Sequence, residues 1–154
     1  MHEDLVNFYG NRIRFRVCGL CWSDGRLLLV NHEGVTDGDF WAPPGGGVEF
    51  GNSLSGNLER EFLEETGLQV KTGGFLFGCE FVHAPLHAIE LFFEVGIIGG
   101  KLAPGRDPEI QIIRDVRFYT PREISALPPG YRHGIFNQTV EEAELRKLSG
   151  FYAI

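Results

Sequence analysis

Three glutamates dominate the chemistry open to this chain. Glu61, Glu64 and Glu65 sit in the run Arg60-Glu61-Phe62-Leu63-Glu64-Glu65-Thr66-Gly67-Leu68. On a helical wheel of about 100° per residue, Glu64 and Glu65 fall about 60° to one side of Glu61 and about 40° to the other. Leu58 and Phe62 fall next to them, so one helix would carry an acidic edge beside an apolar stripe. Like charges at these spacings repel by roughly a few tenths of a kcal/mol each, and a cation among them reverses that cost. Oxygen-only donors suit Mg²⁺ or Mn²⁺, which keep several waters and share the oxygens of substrate phosphates. Gly45-Gly46-Gly47 lies upstream. Backbone without side chains can approach a phosphate or offer a carbonyl to a metal. The glutamates alone would read most simply as a solvated helix face; the glycine run is what argues for a site.

The elements that must position these groups follow from local patterns. The spacing predicts a helix over 53–66, capped by Ser53 and ended by Gly67. Gly56 and Asn57 are poor helix formers, so packing or a ligand must support it. Residues 12–22 read as a strand, Ser23-Asp24-Gly25 as a hairpin turn and 26–32 as the returning strand, followed by a loop over 33–39. Pro43 and Pro44 keep 41–44 out of a central strand, because they donate nothing to a ladder. Residues 45–51 read as a glycine-rich loop. Downstream, 69–82 and 86–98 read as strands joined through Pro85, 101–108 as a loop and 110–119 as a strand. Helices are expected at 121–126, with Thr120 as cap and Pro121 at the first position, and at 137–148, whose charges suit the macrodipole. The expected fold class is α/β (α+β), one domain over 1–154 with a mixed sheet and helices on both faces.

The chain has 154 residues and a net charge of −7, which speaks against gripping a nucleic-acid polymer through its phosphates. No apolar run reaches the roughly 18 residues of a membrane span. The N-terminus lacks a secretory pattern, and three cysteines do not suggest a disulfide framework. A cytoplasmic protein with no membrane partner is expected.

Cys18 and Cys21 have the spacing of half a zinc site, but only Cys79 remains to complete it. Three-residue spacing in a strand sends their side chains to opposite faces, so both are expected to be buried. His83 and His87 flank Pro85 in a strand-loop-strand region, where a sheet-surface role is the plainer reading and substrate contact the alternative. Trp41, Phe40, Phe50 and Phe81 could stack on a base, though core packing is the default for aromatics.

The run 46–68 resembles the Nudix box, G-x5-E-x7-R-E-U-x-E-E-x-G-U, where U is a large apolar residue. Gly46 matches its first glycine, and Arg60, Glu61, Phe62, Glu64, Glu65, Gly67 and Leu68 match its second half without a gap. The stretch 41–49 also resembles the usual lead-in, with Pro43 where leucine is common. Asn52 stands where the family places its first glutamate, usually a supporting group near the helix start. The resemblance implies a Nudix-like α/β/α sandwich and hydrolysis of a diphosphate linkage in a nucleoside diphosphate derivative with Mg²⁺ (or Mn²⁺). Glu61, Glu64, Glu65 and the carbonyl of Gly45 would hold the metal, and Arg60 would pair with a box carboxylate. Gly46, Gly47 and Trp41 would lie at the substrate. The base would be a box glutamate, Glu61 or Glu64, or a later acid, for which Glu109 is the candidate ahead of Asp107 and Glu80. A homodimer is frequent among similar proteins. Two other functions fit less well: a nucleotide-sensing domain that binds without cleaving, suggested by Asn52, and an isomerase of allylic diphosphates on a related fold.

Overall fold

Asp24 and Gly25 both take positive φ, 51° and 73°, the two-residue turn whose twist matches paired strands. They join β1 (Arg12–Ser23) to β2 (Arg26–His32) in a computed structural model that describes residues 3–32, 36, 38–105 and 113–154. A short helix, α1 (Glu3–Tyr9), precedes this hairpin. After it come β3 (Trp41–Ala42), β4 (Gly45–Gly47), α2 (Leu54–Thr66), β5 (Leu68–His83), β6 (Leu86–Gly100) and β7 (Ile113–Tyr119). The chain then forms α3 (Pro121–Ala126), two 3-10 turns at Pro129–Tyr131 and Gly134–Asn137, α4 (Glu142–Leu145) and β8 (Phe151–Ala153).

The sheet is mixed, in the order β3-β2-β1-β6-β5-β8, with β4 also on β1 and β7 on β2. β1 runs parallel to β6 from Arg12↔Leu86 to Cys21↔Val95 and antiparallel to β4, with Val17 opposite Gly46. Successive side chains of β1 point to opposite faces. Val17 and Cys21 pack with Leu58 and Phe62 of α2. Cys18 and Leu20 pack with Ile124 of α3 and Leu145 of α4. Helices therefore cover both faces, as expected, and the two cysteines divide between them, buried and free. Leu58 and Phe62 are fully buried, each contributing roughly 1.5–3 kcal/mol of apolar burial.

Several local expectations need correction. The expected glycine loop begins as strand β4, because β1 offers it ladder partners at Arg16, Val17 and Cys18, a pairing invisible to a local window. The expectation that 41–44 is no central strand holds: Trp41 and Ala42 form a two-residue strand at the end of the sheet order, with both prolines outside it. The helix expected over 137–148 shrinks to Glu142–Leu145. There the Thr139 hydroxyl accepts from the Glu141 N–H and also bonds the Glu144 carboxylate, local bonds that compete with helix. Strand 110–119 is described from Ile113 onward, and Glu109 and Asp107 lie outside the described residues. Helix α1 and strand β8 carried no signal that pattern reading caught. Among the described residues, no helix is long and apolar enough to cross a membrane.

Candidate active site

Helix α2 has the boundaries its caps dictate. Ser53 Oγ accepts from the Gly56 N–H at 3.0 Å, and Gly67, at φ 76°, donates to the Leu63 carbonyl at 3.0 Å. Asn57 supplies the support that its own propensity withholds. Its Nδ2 donates to the Gly47 carbonyl at 2.9 Å, and its Oδ1 accepts from the Glu49 N–H at 3.0 Å. The first turn of α2 is thus stitched to the glycine strand by a side chain that is fully buried. Asn52 lies outside this contact, exposed, donating to Glu49 at 3.4 Å.

Two of the three glutamates turn inward onto that strand. Glu61 is 4% exposed and Glu65 is 0% exposed. A β-carbon on Gly46 would lie 2.4 Å from Cδ of Glu61 and 2.6 Å from both its oxygens. Gly45 donates its N–H to Oε2 of Glu65 at 3.4 Å. Glu64 is half-buried and turned elsewhere: Nη1 of Arg60 reaches its two oxygens at 3.0 and 2.9 Å. Arg60 also contacts Glu61 at 3.2 Å and Glu49 at 3.4 Å. Burial works against its charge, but the bond to Glu64 and the charges of Glu61, Glu64 and Glu49 outweigh it, and its pKa is raised. Arg60 thereby holds box carboxylates in place, orienting them more than stabilising the fold.

The donor chemistry of this cradle fits a hard divalent cation. It offers carboxylate oxygens and backbone only, from residues one helical turn apart, against a strand where any side chain would fill the space. Glu61 and Glu65 with the backbone at Gly45 are the residues that fit. Among the described residues no three His, Cys, Asp or Glu side chains are gathered closely enough to hold an ion, so Glu64 would have to leave Arg60 to join them.

A cavity of about 380 Å³ opens beside the cradle. Gly46, Gly47 and Glu61 form one side of it. Phe40, Phe81 and His87 line it as well. Trp41 does not line it; the structure places Trp41 in the core, 5% exposed, edge-on to Tyr119 with ring centroids 4.9 Å apart. Phe50 projects into solvent. Glu80 is exposed and bonded to His87 at 3.0 Å, and His83 is exposed.

Sequence reading missed the most tightly bound acid in the cavity wall. Glu90 on β6 accepts from Arg16 at 2.5 Å and bonds Nε2 of His133 at 2.7 Å. Nδ1 of His133 accepts from the Ile135 N–H at 3.1 Å, which leaves Nε2 as the proton-bearing nitrogen facing Glu90. Burial alone would raise the Glu90 pKa, but His133 and Arg16 outweigh it and bring the carboxyl from 4.5 down to about 2. The available signal was a carboxylate directly before the apolar run Leu91-Phe92-Phe93.

Comparison with known proteins points one way. The family model for the NUDIX domain matches residues 10–138. An ADP-ribose pyrophosphatase of Methanocaldococcus jannaschii is 32% identical over 93 residues, 59% of this chain and 55% of that protein. The nucleoside triphosphatase NudI of Salmonella heidelberg is 45% identical over 62 residues, 38% of this chain and 43% of that protein. The matches thus span about half the length of these curated relatives. A solved NUDIX hydrolase from Nitrosomonas europaea superposes with a TM-score of 0.75 at 20% identity, covering 90% of this chain and 93% of that one, a likeness of fold.

Proposed function

This chain belongs to the NUDIX domain family, and from that premise we propose that it is a divalent-metal-dependent hydrolase, with Mg²⁺ or Mn²⁺, that cleaves the diphosphate linkage of a nucleoside diphosphate derivative. The observation that carries this reading is the seating of Glu61 and Glu65 against Gly45 and Gly46 at the edge of a cavity large enough for a small ligand. Relatives named for ADP-ribose and nucleoside triphosphate hydrolysis support it.

In this reading Glu61, Glu65 and the Gly45 backbone hold the metal, with Glu64 recruited from Arg60. The bound metal would neutralise phosphate oxygens and make a water more acidic. Gly46 and Gly47 leave room for the diphosphate beside Glu61. Arg60 keeps the carboxylate of Glu61 oriented once Glu64 has left it. Glu64 or Glu109 takes the proton from the attacking water. Phe40 and Phe81 present aromatic surface to the remainder of the substrate. Exposed Ile13, Phe15 and Val82 on neighbouring strands support a homodimer as part of the same proposal.

The test is a panel of nucleoside triphosphates, nucleotide sugars, ADP-ribose and dinucleoside polyphosphates, each with Mg²⁺ and with Mn²⁺ and read by phosphate release. Turnover of at least one, lost in Glu65→Gln, is expected. Tight binding of a ligand that calorimetry recovers unchanged would replace hydrolysis with sensing.

A further inference from the structure

The cavity extends well beyond the cradle, and in a protein of net charge −7 its wall gathers Arg14, Arg16 and Arg132 beside Glu61 and Glu90. Arg14 and Arg16 occupy alternate positions of β1 and both line it. Arg16 stands opposite Gly47 on one side and Glu90 on the other, at the cradle end. Arg14 stands opposite Ala88, which in turn pairs with Phe81, one step further out. Side chains two residues apart on one strand face lie about 6.6–6.8 Å apart along it. That exceeds the span of the oxygens of one phosphate.

Each guanidinium is fixed by a different device. Arg16 is bonded to the buried carboxylate of Glu90 at 2.5 Å. Arg14 is stacked on Tyr9 of α1, its Cζ 3.4 Å from the ring centroid. Tyr9 is 4% exposed and precedes the residues matched by the family model, which begin at 10. A guanidinium held over an aromatic ring keeps its charge and its fork of N–H donors, the groups that recognise phosphate.

We propose that Arg14 and Arg16 form a two-point grip selecting substrates that carry a phosphate beyond the scissile diphosphate, with Tyr9 and Glu90 as positioning residues. The inference rests on the hydrolase reading above and deepens it. Substrates with a longer phosphate chain engage both arginines. A nucleoside diphosphate joined to a neutral sugar engages Arg16 alone.

The experiment pairs each nucleoside triphosphate with the glucose ester of the same nucleoside diphosphate and compares kcat/KM for the two. Arg14→Ala is expected to lower the triphosphate-to-sugar ratio about tenfold or more, through KM, as loss of a charge-assisted bond implies. Arg14→Lys restores only part of it, since lysine neither stacks flat nor binds two oxygens at once. Tyr9→Phe keeps the ratio of the wild type, and Tyr9→Leu shifts it in the direction of Arg14→Ala. Arg12→Ala, on the same strand but off the cavity, shifts it less than about twofold. A ratio unmoved in Arg14→Ala, or a loss equal for both substrates, overturns the grip while leaving the hydrolase reading intact. A wild-type protein that cleaves neither class, nor ADP-ribose or a dinucleoside polyphosphate, overturns both.

Discussion

The Glu61 carboxylate rests so close to the backbone of Gly46 that a methyl group there would stand 2.4 Å from its carboxyl carbon. Gly46→Ala must therefore displace Glu61 or the strand. Displacement of a catalytic group by about 1 Å costs roughly a hundredfold in rate. We expect Gly46→Ala to lose about that much in kcat/KM while keeping its circular dichroism spectrum. An alanine variant with the rate of the wild type would remove Glu61 from the reaction.

The metal should leave a signature separable from turnover. Titration with Mn²⁺, followed by electron paramagnetic resonance, should show binding that Glu61→Gln and Glu65→Gln each weaken by about tenfold or more. Glu64→Gln should weaken it less, because Glu64 must first be released from Arg60. Equal weakening in all three would mean that the trio acts as one set of ligands.

Stability should fall in acid through Glu90. Its carboxyl lies at about 2 in the folded protein against an ordinary 4.5, so the folded state favours the ionised form. That contribution is complete above about pH 4.5 and drains away as pH falls toward 2, with a magnitude of roughly a few kcal/mol. Urea unfolding between pH 6 and pH 3 should show the slope, and Glu90→Gln should flatten it. Because the variant removes the buried carboxylate bonded to both Arg16 and His133, it should also be less stable at neutral pH. A slope unchanged in Glu90→Gln would assign the acid sensitivity elsewhere.

Asn57→Ala removes both bonds between α2 and the glycine segment. Taking this partner from the part-buried Gly47 carbonyl and Glu49 N–H costs about 1–2 kcal/mol. The midpoint of thermal unfolding should drop by several degrees. The Mn²⁺ affinity should drop with it, because Gly45 to Gly47 would no longer be tied to the helix that carries the carboxylates. A variant that loses stability but binds Mn²⁺ as before would separate the stitch from the cradle.

Helix α2 was legible because its determinants are local. Ser53, the Leu58 and Phe62 stripe and Gly67 lie within one window, and each does in the structure what its type implies. The hairpin at Asp24-Gly25 was legible for the same reason. The Glu90 wall was not. It joins residues 43 and 74 positions apart in sequence; the pairing of β1 with β6 brings Arg16 to Glu90, and the bond from the His133 N–H to the Trp41 carbonyl sets His133 in place. Trp41 misled because an aromatic beside a glycine run looks the same in sequence whether it faces a ligand or Tyr119. The helix expected over 137–148 had the right charge order, but Thr139 supplies bonds that a charge pattern does not register.

The parallel pairing of β1 and β6 also sets a timetable. Helix α2 carries its caps and apolar stripe within its own residues, but Gly56 and Asn57 leave it dependent on the bonds to Gly47 and Glu49. The strand that shelters Glu61 depends on β1 about thirty residues upstream, and the cavity wall further along depends on β1 pairing with β6, more than seventy residues away. Long-range parallel pairings are slow to form. The shelter of the carboxylates is thus a product of the completed sheet, and no local segment of the chain owns it.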